Sequence, residues 1–273
     1  MLTELDASAS SDLPLVDNEP LIEVLNTAKS KSVEISKALE VAAETNENIE
    51  KNRDTYRDAA MRGAILFFSI DGLSAISSMY EYSLSSYMTV FINALNTAKK
   101  DAILLNRLKN IKDMLTKLVY NFTCMGIFKR HKLMYSFQMT TMIMDGAGEL
   151  NKIELDFFLK GNTSLDAVEA KKPYEWISDY GWKDIQKLES LGECWANLVP
   201  DLRSNGADWL KWYDLEVPEK AEIPCGYTQK LNKFQVLLLM RVLRPDRVSN
   251  TIVLFIQDRM GDQYTRPPIV EAD

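Results

Sequence analysis

The chain has 273 residues, 46% hydrophobic and 26% charged, enough for a sizeable core and one or two domains. Its net charge of -7 argues against nucleic-acid binding through a general basic field. A mean hydropathy of -0.19, with no apolar run near the ~20 residues that span a bilayer, predicts no membrane helix. The acidic start Met1-Leu-Thr-Glu-Leu-Asp6 predicts neither a secretory leader nor a transit peptide.

Cys124, Cys194 and Cys225 are far apart, with no CxxC, and read as free thiols in a reducing compartment. A zinc site would have to combine the single His131 with these scattered thiols, and none is expected.

Residues 1–20 read as a tip or hairpin connection, because Pro14 and Pro20 interrupt any helix there. From Leu21 to about Ala60 the pattern is helical. Leu21, Leu25, Ala28, Ser32, Ile35, Leu39, Ala42, Asn46, Ile49, Arg53, Tyr56 and Ala60 stand alternately four and three apart. No Gly or Pro interrupts this run, which is about 60 Å of helix at ~1.5 Å per residue. Such a narrow seam predicts a coiled coil, weakened at Ser32, Asn46 and Arg53. A single amphipathic helix lying on its own domain is the alternative. No partner helix is evident within the chain.

The next stretch is apolar on every face: Ala64, Ile65, Leu66, Phe67, Phe68 and Ile70. It is expected to be covered nearly all round, with Met79, Tyr80, Tyr82, Leu84 and Tyr87 continuing the core. Residues 62–160 then read as a helical bundle. Helices are expected over 85–98, from a cap at Asp101 through Val119, from about Asn121 to a stop at Gly146-Ala-Gly148, and over 153–160. The clustered methionines read as adaptable core filler.

Residues 161–230 carry four prolines and all five tryptophans. They read as an irregular packed connection with Trp anchors, with one helix from Trp182 to Trp195 and another from Ala207 to Tyr213. A carbohydrate-binding role for exposed Trp is a weaker reading. Residues 231–260 return to helix, ended or bent at Pro245 and resumed behind a possible Asp246 cap until Gly261. The Pro-rich tail reads as extended.

No phosphate-binding Gly-rich loop, GxGxxG or GxSxG is present. Paired acids such as Glu154 and Asp156 read as a solvated face. Arg244-Pro245-Asp246-Arg247 is the densest charged feature on an apolar background. It reads as an Asp–Arg pair fixing a helix junction or as a contact that passes motion between subdomains.

Leu21-Ile-Glu-Val-Leu-Asn-Thr-Ala-Lys-Ser-Lys31, Arg53-Asp-Thr-Tyr-Arg57, Arg62-Gly-Ala-Ile-Leu-Phe-Phe68 and Met79-Tyr-Glu-Tyr-Ser-Leu84 come in order along the chain. Gly126-Ile-Phe-Lys-Arg-His-Lys-Leu133, Glu154-Leu-Asp-Phe-Phe-Leu-Lys-Gly161 and Leu243-Arg-Pro-Asp-Arg-Val248 follow. Together they resemble the axonemal dynein heavy chain over nearly the whole sequence, with the flavour of an inner-arm type. Two places depart from the family pattern: Ser11-Asp-Leu-Pro-Leu-Val-Asp17 at the tip, and Asp58 where a Pro usually follows Tyr-Arg.

The resemblance implies a mainly α fold. Residues 1–60 would be the tip and returning helix of a coiled-coil strut, 61–200 a lid-type small helical subdomain of the fifth AAA+ module, and 201–273 the connection into the sixth. It implies a non-catalytic coupling element of an ATP-driven microtubule motor in the cytoplasm, cytoskeleton and ciliary axoneme. Partners would be the rest of the heavy chain, its strut partner helix and stalk, and, in the parent complex, microtubules and other dynein chains. Neither nucleic acid nor membrane is implied. ATP and Mg would bind the parent motor outside this stretch, with no cofactor, metal or catalytic residue within it, and enzymatic activity would belong to the parent. The residues expected to carry coupling are Tyr56, Arg57, Arg62, Gly63, Phe67, Phe68 and Tyr80 at the root of the rod, and Arg244, Pro245, Asp246 and Arg247 at the junction. The competing function is a stand-alone helical scaffold that recruits a partner helix through the 21–60 seam.

Overall fold

A computed structural model describes residues 19–162 and 171–266. Every regular element among them is helical, so the fold is mainly α. Of the tip expected over 1–20, residues 1–18 lie outside the described residues, whereas Glu19 and Pro20 already belong to the first helix; the tail beyond Arg266 also lies outside them. The chain divides into two compact units that part between Asp58 and Ala59.

The first unit is dominated by α1, Glu19–Thr55, about 55 Å long at ~1.5 Å per residue. No side chain described in α1 is buried. Leu25, Ile35, Leu39 and Ile49 of the seam are each more than half exposed. Continuous helix to Ala60 was expected, but α1 stops at Thr55. Thr55 and Tyr56 are poor helix formers side by side. The Thr55 hydroxyl bonds back to the Lys51 carbonyl, and the Tyr56 N–H closes a tighter bond to Arg53 O at 3.1 Å.

A second helix, α2, runs from Arg57 to Asp71. α3 (Leu84–Thr97), α4 (Leu104–Gly126), α5 (Lys129–Gly146) and α6 (Lys152–Lys160) follow. α3 packs along α4. The Asn121 break expected in α4 is absent. The helix continues through Thr123, whose hydroxyl bonds to Val119 O, and turns at Ile127 and Phe128. Asp101 holds the approach to α4 through a 2.8 Å bond from Ile103 N–H but does not cap the helix. α5 ends at Gly146, as the Gly-Ala-Gly pattern predicts, with Gly148 at φ +71°.

The Trp-rich stretch is a set of short helices. α7 (Asp179–Glu189), a 3-10 turn at Glu193–Trp195, α8 (Leu198–Ser204), α9 (Gly206–Tyr213) and the single turn α10 (Tyr227–Lys230) are joined by compact turns. The single helix expected from Trp182 to Trp195 is split at Ser190–Gly192. Trp182, Trp195, Trp209 and Trp212 are buried and Trp176 is half-buried, so they offer no exposed aromatic platform for a sugar.

α11 (Lys233–Leu243) opens on a capping box between Asn232 and Gln235, and α12 spans Val248–Met260. α11 packs on α12, and α12 returns to α5. One apolar core runs from Leu66 on α2 through the Trp-rich stretch to Tyr264.

Candidate coupling site

α2 is covered on one side only. Leu66 and Ile70 are buried, Ile65 and Phe67 half-buried, and Ala64 exposed. Phe68 is 58% exposed, and Met79 and Leu84 also face outward. This corrects the expectation of all-round cover. An apolar run shows that a helix can be covered, but only the fold shows which face is.

The covered face is held by close approach. The Tyr87 hydroxyl donates to Gly63 O at 2.6 Å. A Cβ on Gly63 would lie 2.8 Å from the Phe91 ring. The Phe67 ring stands edge-on to Tyr87 at 5.3 Å. Burial lifts the Tyr87 phenol to about 12. Deeper in, Ser69 of α2 and Thr123 of α4 are fully buried and donate back to Leu66 O and Val119 O of their own helices, while the buried Tyr135 hydroxyl of α5 has no hydrogen-bond partner among the described residues.

Arg62 is half-buried with one long contact, 3.4 Å to the Thr116 hydroxyl. It lines a cleft of about 540 Å3 with Asp113, Thr140, Arg259 and Tyr264. Burial lowers its pKa, while Asp113 and Tyr264 pull it upward.

Tyr80 joins the loop after α2 to the start of α5. Its hydroxyl accepts the Phe128 N–H at 3.2 Å and meets His131 Nδ1 at 2.7 Å. Both bonds form when the phenol proton points at an unprotonated Nδ1. Among the described residues, no group of three His, Cys, Asp or Glu side chains is placed to hold a metal ion.

The second cluster lies at the α11–α12 junction. Pro245 opens a 3-10 turn, Pro245–Arg247, that leads straight into α12. Asp246 does not cap α12, as was expected; its carboxylate takes two bonds from Arg244, at 2.9 and 2.8 Å. Those bonds hold the Asp246 carboxyl below its usual range. Arg244 also donates to the carbonyls of Tyr213 and Leu215 and lies over the Tyr213 ring. Arg247 pairs with Glu219, whose side chain is almost fully buried. Burial pushes the Glu219 carboxyl up, but the Arg247 bonds outweigh it and the net shift is downward. The two arginines therefore staple the 213–219 segment to the helix junction.

Glu219, Tyr213 and Leu215 were not foreseen. Two of them act through backbone carbonyls, which leave no trace in residue type, and Glu219 is one acid among many. Glu154 was read as part of a solvated face but is buried, accepting from Gln235 Nε2 at 2.9 Å, whereas Asp156 is exposed and pairs with Lys160. Among the described residues no hydrogen bond or ion pair joins the root residues 62–80 to 244–247. Tyr56 and Arg57 are exposed.

No family model matches the sequence. It is 48% identical over 267 residues to a dynein-1-alpha heavy chain of the flagellar inner arm I1 complex of Chlamydomonas reinhardtii, covering 94% of this chain. It is 42% identical over 274 residues to human dynein axonemal heavy chain 10, covering all of it. The chain belongs to the axonemal dynein heavy-chain family. A dynein gamma chain of the flagellar outer arm of Chlamydomonas reinhardtii is 31% identical. The chain spans about 6% of the length of each of these relatives.

Proposed function

We propose that this chain is a mechanical coupling stretch of an axonemal dynein heavy chain, of inner-arm type, working in the ciliary or flagellar axoneme. In this reading α1 is the returning helix of a strut, and a helix from outside these residues covers its seam. The bundle from α2 to about residue 200 is a small AAA+ subdomain in which the strut is rooted, and the remainder leads into the next module. ATP hydrolysis and microtubule binding belong to the parent motor, with ATP and Mg bound outside this stretch. The chain's part is to carry displacement of the bundle into the rod.

The observation that carries the reading is the seam of α1. Leu25, Ile35, Leu39 and Ile49 recur at coiled-coil spacing and are all exposed. A helix of this length keeps such a stripe when another helix covers it. Family membership supplies the motor, and the higher identity to the inner-arm chain than to the outer-arm chain favours that arm.

An immunoblot of ciliated tissue with an antibody against residues 200–220 tests the context. A band far above 31.1 kDa is expected. A band at 31.1 kDa instead establishes the second reading, which the same exposed seam favours: a stand-alone scaffold that recruits a partner helix. Within the motor, Ile35→Asp with Leu39→Asp is expected to lower the ratio of microtubule-stimulated to basal ATPase. An unchanged ratio rejects the coupling role.

A further inference from the structure

A groove of about 850 Å3 lies between the 219–223 segment, the start of α11 and α12. Its floor is apolar: Ile223, Leu231 and Phe255 are buried, and Val236 and Leu254 half-buried. Its rim is charged. Lys220 stands at the end of the 3-10 turn Pro218–Lys220, and Lys233 is the first residue of α11. Both are exposed and neither makes an ion pair among the described residues. The other rim charges are mostly engaged, Glu219 by Arg247 and Arg259 by Glu149 at 3.3 Å. Of the acids lining the groove, Asp258 makes no ion pair among the described residues, against the two lysines.

We infer that this groove docks an acidic amphipathic segment of the parent heavy chain, from outside these 273 residues, with its apolar side chains on the Val236–Leu254 floor and its carboxylates on Lys220 and Lys233. Charge selects the occupant. The chain as a whole carries -7, whereas the unpaired lysines outnumber the unpaired acid along this groove, so the rim favours an acidic segment against the overall charge. A basic segment would meet two unpaired cations and leave them desolvated without partners. The floor has room for a few large apolar side chains, which supply the burial, while the lysines fix register. The inference rests on the motor reading above.

Zero-length carbodiimide coupling in dynein extracted from axonemes, read by mass spectrometry, provides the test. The reagent joins a lysine amine to a carboxylate already in contact with it. Lys220 and Lys233 are expected to couple to acids of one contiguous segment beyond residues 1–273 of the same polypeptide. Acylation of both amines is expected to run at least about tenfold slower in the motor than in the isolated chain, because they react only when the segment lifts away. Coupling to a different polypeptide, or to Asp258 alone, overturns the inference. So does acylation at equal rates in motor and isolated chain. If no species larger than 31.1 kDa carries the sequence, the motor reading fails first; free lysines within a full-length motor remove this inference alone.

Discussion

Phe67 and Phe68 are neighbours in sequence with opposite surroundings. Phe67 is wedged against Tyr87, whereas Phe68 is 58% exposed. Phe67→Ala is expected to cost about 2–3 kcal/mol, below the full range for a buried ring because Phe67 is only half-buried. Phe68→Ala is expected to cost under about 0.5 kcal/mol in the isolated chain, as for other exposed sites. Urea denaturation of both variants checks the difference, and equal costs would contradict this packing.

Gly63→Ala should cost about 1–3 kcal/mol, because the new methyl presses on the Phe91 ring and strains the Tyr87 bond to Gly63 O. The same phenol sets an alkaline limit. An unfolded Tyr ionises near pH ~10, whereas Tyr87 in the fold is lifted to about 12. The stabilisation from keeping it neutral is intact below the unfolded value and is lost as pH rises from there through about 12. Tyr264 is lifted to about 12 by burial too and adds to the same trend. Denaturation midpoints should therefore fall in this alkaline window, and Tyr87→Phe should flatten the fall.

At the scale of elements, the junction of α11 and α12 shows how the staple is divided. Arg244 serves Asp246 and two carbonyls at once, whereas Asp246 is largely exposed and serves Arg244 alone. Arg244→Ala leaves the Tyr213 and Leu215 carbonyls without this donor and is expected to cost about 2–4 kcal/mol. Asp246→Ala is expected to cost under about 1 kcal/mol. Hydrogen exchange over 213–219 should quicken strongly in the first and little in the second; the reverse order would refute the staple.

Regular apolar spacing made most elements legible: α3, α6, α9, α11 and α12 lie within a residue or two of their sequence patterns, whereas α5 ends where expected but starts at Lys129 rather than near Asn121. Proline misled at α8. Pro200 was taken as a mark of irregular chain, yet it stands in the first turn of Leu198–Ser204, where its missing N–H is no loss. Position 246 was open to a similar error. An Asp ahead of a helix usually caps it, but Arg244 two residues earlier captures both carboxylate oxygens. Residue type announced a charged junction there, but its partners 28 to 31 residues away became visible only in the fold.

For the whole molecule, the division between Asp58 and Ala59 separates two sources of stability. From Ala59 on, a single main core with buried Trp195, Trp209, Phe255 and Leu66 supplies tertiary packing. α1 has no buried side chain among those described and relies on helix propensity with a few surface pairs, Lys51–Glu47 and Arg53–Glu50. Such pairs add only about 0.3–0.5 kcal/mol each. An uncovered helix melts gradually over a broad temperature range, whereas a packed core melts in one cooperative step. The isolated chain should accordingly lose part of its helical circular dichroism in a shallow slope, then the rest in a sharp transition. A chain of residues 59–273 should keep the sharp transition at the same midpoint and lose the slope. Adding a helix that covers Leu25, Ile35, Leu39 and Ile49 should turn the slope into a second cooperative step. A single sharp transition in the intact chain that vanishes on removing 1–58 would show instead that α1 is part of the packed body.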